Sequence, residues 1–181
     1  ELGESNRRTA LPRDGRILDN VLLSPALVPS SVMVRRELYE SAGGFDETLR
    51  TAEDLDFHLR LAARTSIALL EQPLARIARG DASGLSMLSR TNRDHVFVVR
   101  RFVDKAGGLL TPQQRRAALF NVLRYNARSS TLSLRPLEGL RFAIEAVPHV
   151  SSLQEAWSLI HLAPLTLKCT LKRLLVAVRG A

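Results

Sequence analysis

Residues Ser30 to Ala63 read SSVMVRRELYESAGGFDETLRTAEDLDFHLRLAA. A small-polar pair leads into a short apolar stretch, and Arg35-Arg36 open a short helix. Gly43-Gly44 close that helix, because a helix C-terminus favours a left-handed residue without a Cβ. An acidic turn follows, and Thr51 begins a second helix. The Thr51 hydroxyl can accept from the amide three residues on while Asp54 reaches back, as in a capping box. Leu55, Leu59 and Ala62 share one face of this helix, and Phe57 and Leu61 widen it.

Outward from this stretch, the N-terminal side is the less regular. Residues 1–16 lack periodicity and read as loop. Ile17 to Leu23 predicts a short helix, stopped before Pro25. Leu27 to Val34 predicts a strand, with Pro29 marking its edge or start. On the other side, Ile67 to Leu70 and Leu74 to Ala78 predict two buried strands, and Arg79 to Gly84 a loop. Beyond Arg90 the pattern is helical. Asn92 to Lys105 forms one helix, ended by Gly107-Gly108. Thr111-Pro112-Gln113-Gln114 starts another, with Thr as cap, Pro in the first turn and Gln at the capping-box position. It runs to about Arg128. Pro136 opens a third, ending before Pro148. Ser152 with Glu155 caps a fourth, and Pro164 opens a last basic helix to about Arg179.

The chain has 181 residues and a net charge of +8. Its 45% hydrophobic content suffices for a core, and its 5% aromatic content makes that core mostly Leu, Val, Ile and Ala. Charge is uneven. Residues 1–89 hold 11 Lys/Arg against 13 Asp/Glu, and residues 90–181 hold 15 against 5. The shift near Ser89 suggests two parts, 1–89 carrying the motif and 90–181 a basic helical region suited to a negatively charged surface. The single cysteine, Cys169, excludes an internal disulfide framework and suits a reducing compartment. No run reaches the length of a membrane-spanning helix. The basic half has few aromatics for base stacking and no recognition motif, so nucleic acid is not an expected partner.

The ordered set from Ser30 to Arg64, within a wider span from Leu18 to Ser86, resembles the acceptor-side half of family 2 glycosyltransferases. These are inverting nucleotide-sugar enzymes with a GT-A fold. The resemblance implies an α/β class: a partial, Rossmann-like GT-A fragment over 1–89, followed by an all-α extension. It implies transfer of a sugar from a nucleotide diphosphate to a hydroxyl of a glycan or lipid-linked acceptor, in bacterial surface polysaccharide synthesis. Asp54 matches the family's catalytic base, with Glu53 beside it, and Gly44, Phe45 and Asp46 border the acceptor pocket. The family's nucleotide-binding half ends in an Asp-x-Asp motif holding a divalent metal, Mg or Mn. Nothing before Leu18 carries it, so the chain reads as a C-terminal fragment or one piece of a split enzyme, inactive alone. The implied location is cytoplasmic, either free or peripheral on the inner face of the membrane.

Inverting transfer needs a carboxylate within hydrogen-bond reach of the acceptor hydroxyl and positive charge facing the departing diphosphate. Asp54 suits the first task, although acids also gather at helix N-termini for dipole reasons alone. Arg35 and Arg36 either face a diphosphate or are solvated. Many relatives place a His after the second strand. Here that stretch, Arg79 to Ser86, has none, and Asp81 or Arg79 either replaces it or lies on a plain surface loop. His58, His95, His149 and His161 lack the spacing of a helical metal site and read as surface or packing residues. Cys169 reads as a structural thiol. The last helix sets Lys168, Lys172 and Arg179 against a Leu-rich stripe. That pattern suits either an anionic membrane surface or packing on its neighbours. The alternative function is a non-catalytic basic helical module that binds a membrane surface or protein partner.

Overall fold

The computed structural model describes residues 14–23, 27–70, 72, 74 and 89–162. Among them run seven α-helices: α1 Leu18–Leu23, α2 Arg36–Ser41, α3 Glu53–Ala62, α4 Ser89–Lys105, α5 Pro112–Leu132, α6 Pro136–Ala146 and α7 Leu153–Ile160. Among the described residues, strand structure is confined to β1 Asp14–Gly15 and β2 Ile67–Ala68, which pair antiparallel.

The expected α/β class is therefore corrected: the described chain is essentially all-α and holds no Rossmann-like part. A strand is stable only with neighbours to complete its hydrogen bonds. The stretch expected as a strand from Leu27 to Val34 finds none. Pro29–Ser31 coil instead into a 3-10 turn, fixed by Ser31 and Val32 amides donating to the Val28 and Pro29 carbonyls. Of the strand expected from Ile67 to Leu70, two residues pair. The strand expected from Leu74 to Ala78, apart from Leu74, lies outside the described residues. So do the loop from Arg79 to Ser86, Cys169 and the last basic helix.

Local chemistry explains the helix ends. Gly44 donates to the Tyr39 carbonyl and Gly43 to the Glu40 carbonyl, the paired bonds of a Schellman motif closing α2. Gly44 sits at φ +61°, and a Cβ there would meet the Tyr39 hydroxyl at 2.9 Å. At α5, Thr111 and Gln114 form the complete capping box. At α7, the Ser152 side chain accepts from the Glu155 amide.

The core runs through both compositional parts. Ile17, Val21 and Leu22 meet Leu55 and Leu59 of α3, Val96, Val98, Val99 and Val103 of α4, and Phe120 and Leu123 of α5. Burying each such side chain contributes about 1.5–3 kcal/mol, so α3 is anchored to the helical half. The other side of α3 builds a smaller cluster, in which Phe57 and Leu61 pack with Ala42, Leu38 and Tyr39. These two packings lock α3 in rotation, which decides where its acidic residues point.

Candidate functional site

The entry to α3 is unusual. Its N-cap is Ala52, at φ +64°, with no side chain capping the helix. A non-glycine residue in the left-handed region costs about 1–3 kcal/mol, and such strain gathers at functional sites. The capping box expected at Thr51 does not form. The Thr51 hydroxyl donates instead to Asp94 Oδ2 on α4, at 2.6 Å, because a half-buried long-range partner takes the group that a local cap needs.

This entry sets Glu53 and Asp54 on the wall of a recess of about 270 Å³ between α1, α3, α4 and α5. Its lining is mixed: Thr51, His58, Thr91, Asn92, His95, Tyr125 and Ser129 face it with the two acids, beside Val21, Leu27, Ala52 and Leu55. Asp54 is half-buried. Its Oδ1 accepts from the Leu55 amide at 2.7 Å. Its other oxygen has no hydrogen-bond partner among the described residues and is available to a bound group.

Two imidazoles share the recess. His58, one helical turn beyond Asp54, is 4% exposed. Burial lowers its pKa, while the Asp54 charge acts weakly in the opposite sense. Burial lowers that of His95 too, against Asp54, the Asn126 side chain, Asp94 and Glu53. Both rings are held toward the neutral form, which keeps a lone pair for hydrogen bonding. His95 Nδ1 and Asn126 Oδ1 are the two buried side-chain polar atoms among the described residues without a partner at full hydrogen-bond geometry.

Asp56 faces away from the recess. It accepts from Arg60 Nε at 2.8 Å and from Arg101 at 2.7 Å, and its side chain is 7% exposed. Arg101 also pairs with Asp46 at 2.8 Å. The amide and hydroxyl of Thr48 donate to Asp46 Oδ1 at 3.1 and 2.6 Å. Those bonds, then Arg101, hold the Asp46 carboxyl down to about 2. Arg60 further donates to the Ala42 and Gly44 carbonyls. Phe45 packs tilted against Phe57 and edge-to-face against Tyr39, with ring centroids 4.9 and 5.9 Å apart. The GGFDE turn is thus clamped to α3 and α4.

The residues singled out in the sequence therefore separate. Asp54 and Glu53 meet at the recess. Phe45 and Asp46 line a different, wider groove with Arg60 and Arg101, and Gly44 serves the α2 closure. Arg35 is the exposed N-cap of α2, and Arg36 reaches Glu40 at 4.0 Å with its side chain 85% exposed. Neither lines the recess.

The histidine spacing marks His58 and His95 only as surface or packing residues, and nothing in the sequence marks Asn92 or Tyr125 as site residues, yet all four line the recess. The four-residue spacing of Asp54 and His58 on one helix was a usable signal. The others arrive through the packing of α4 and α5.

A divalent metal does not fit these residues. The only Asp-x-Asp triplet, Asp54-Leu55-Asp56, points its carboxylates to opposite sides of α3, and Asp56 is committed to two arginines. Among the described residues no group of three or more His, Cys, Asp or Glu is placed to hold an ion.

Comparison with protein-family models, with curated proteins and with solved structures returns no match for this chain. No helix among the described residues is long and apolar enough to cross a membrane.

Proposed function

We propose that this chain is the acceptor-side part of an inverting glycosyltransferase, in which Asp54 takes the proton of the acceptor hydroxyl. One observation carries the reading. Of the three acids opening α3, Glu53 and Asp54 line the recess, Asp54 with a carboxylate oxygen that has no hydrogen-bond partner among the described residues, while Asp56 is spent on Arg60 and Arg101. The order GGFDE followed by Glu53-Asp54 supports the same reading by resemblance.

In this mechanism the acceptor sugar enters the recess and its hydroxyl donates to Asp54. As that oxygen attacks the anomeric carbon, the bond from that carbon to the nucleoside diphosphate breaks, the diphosphate leaves with the electron pair, and the hydroxyl proton passes to the Asp54 carboxylate. The neutral imidazoles of His58 and His95, the Asn92 amide and the Tyr125 hydroxyl supply the donors and acceptors that a hydroxyl-rich ring requires. The nucleotide sugar, and any metal on its diphosphate, fall to residues other than those described.

The test is sugar transfer by the natural protein that contains this chain. Asp54→Asn should lower turnover by about 10²–10⁴-fold, the worth of general-base catalysis, with little change in KM. Near wild-type transfer by that variant would remove Asp54 from the chemistry.

A further inference from the structure

Helix α6 is apolar on two sides. Gly139, Phe142 and Ala146 are buried, and α6 packs along α5. Outward, Leu137, Leu140, Ile144 and the following Val147 are 79%, 48%, 62% and 60% exposed. Their spacing of three, four and three places them in one stripe. The next helix repeats the pattern: Leu153, Trp157 and Ile160 of α7 are 81%, 57% and 56% exposed, at spacings of four and three. Helices that face only water carry polar residues outward, and exposed apolar patches of this kind mark interaction sites.

Charge selects the occupant. Beside the α6 stripe, Arg93 and Arg135 share Glu138, at 3.0 and 3.2 Å. Arg100 and Arg141 share Glu145, at 2.8 and 3.0 Å. Four guanidiniums meet two carboxylates, so two positive charges remain, and the Arg93 and Arg141 side chains are 70% and 77% exposed. A second copy would set one such cationic face against another, within a half of 15 Lys/Arg and 5 Asp/Glu. An anionic bilayer satisfies both features. The leucines and isoleucine enter the acyl boundary, Trp157 takes the interfacial level that indoles prefer, and the arginines meet lipid phosphates.

We propose that the outward stripes of α6 and α7 dock on an anionic membrane surface. This is independent of the catalytic reading and uses none of its residues.

Trp157 is the only tryptophan in the chain, so it reports on the contact directly. The 181-residue chain is mixed with vesicles of phosphatidylcholine alone, or with phosphatidylglycerol added, at low and high salt. Docking by these stripes requires a blue shift of Trp157 emission and co-sedimentation with the anionic vesicles, both weakened by salt. Arg93→Gln and Arg141→Gln should each lower partitioning by about fivefold. Leu137→Gln with Ile144→Gln should lower it by about tenfold or more. All four positions are exposed, and unchanged helicity by circular dichroism verifies the fold.

Three results overturn the proposal. One is sedimentation without a change at Trp157. Another is loss of binding when Lys168, Lys172 and Arg179 are neutralised but not when the α6 stripe is changed. The third is a blue shift that needs no vesicles and grows with protein concentration, the mark of self-association.

Discussion

Asp54 and Asp56, two residues apart on α3, face opposite sides of the helix: Asp54 lines the recess, and Asp56 bonds Arg60 and Arg101. Two residues correspond to about 200° of helical rotation, and the two apolar clusters beneath α3 fix which acid takes which side. One helix turn thereby holds a carboxylate open to a ligand and another closed inside the fold.

That division separates activity from stability. Asp54→Asn should leave unfolding free energy within about 0.5 kcal/mol of wild type while abolishing sugar transfer. Asp56→Ala should cost about 3 kcal/mol, because it removes the carboxylate shared by two half-buried arginines and leaves Arg60 only carbonyl partners and Arg101 only Asp46. Urea denaturation of both variants checks this. Equal losses of stability would show that Asp54 is also a structural acid.

Arg101 joins Asp46 of the turn to Asp56 of α3. Arg101→Met should destabilise by about 2 kcal/mol and free the turn. Backbone amide exchange around Phe45 to Thr48 should speed up more than exchange in α5. Uniform acceleration would mean that Arg101 contributes only to global stability.

Gly139 lies where α6 crosses α5. A Cβ there would stand 2.2 Å from Thr131 Oγ1 and 2.8 Å from the Ala127 carbonyl. Gly139→Ala should cost about 3 kcal/mol by overpacking. Adding Thr131→Ala should recover only part of it, since the Ala127 backbone cannot move away. Thermal melts of the single and double variants measure this. Full recovery would place the clash on the hydroxyl alone.

His58 and His95 predict a pH slope. Burial lowers both below the ordinary histidine value of 6.5. His149, lowered by burial and then by Arg100 and Arg116, acts in the same sense. Below 6.5 the unfolded chain takes up protons that the folded chain refuses, so stability is complete above that pH and falls as pH drops. Asp46, held at about 2, adds its own loss only below the ordinary carboxylate range. Denaturant midpoints at pH 7, 6 and 5 should therefore decline before any carboxylate titrates. A shallower profile for His58→Gln with His95→Gln than for wild type, with only the His149 share left, assigns the difference to the recess.

What the sequence reveals here is local. The Thr111 and Gln114 capping box, the Gly43-Gly44 closure and the proline starts of α5 and α6 depend on neighbours a few residues away, and each forms as its chemistry predicts. Thr51 shows the limit. Its hydroxyl has the right spacing for a local cap, but Asp94, 43 residues on, takes it. The strand expected from Leu27 to Val34 fails similarly, because apolar character does not create the partner that a strand needs. Asp54 is legible because its acidic neighbours and the preceding turn stand together in the chain. His95 and Tyr125 are not, since only the packing of α4 and α5 brings them to α3.

The Arg101 clamp also bears on protein engineering. The turn and α3 look like a portable cassette, complete between Ser30 and Ala63. Yet the guanidinium that joins Asp46 to Asp56 sits on α4, about forty residues downstream of that segment, and only the Arg60 contacts travel within it. A chimera that transplants the cassette alone would leave Asp46 and Asp56 facing each other as like charges. Splice points that preserve the acidic geometry fall after Lys105, where α4 ends, so that segment and clamp travel as one inheritable unit.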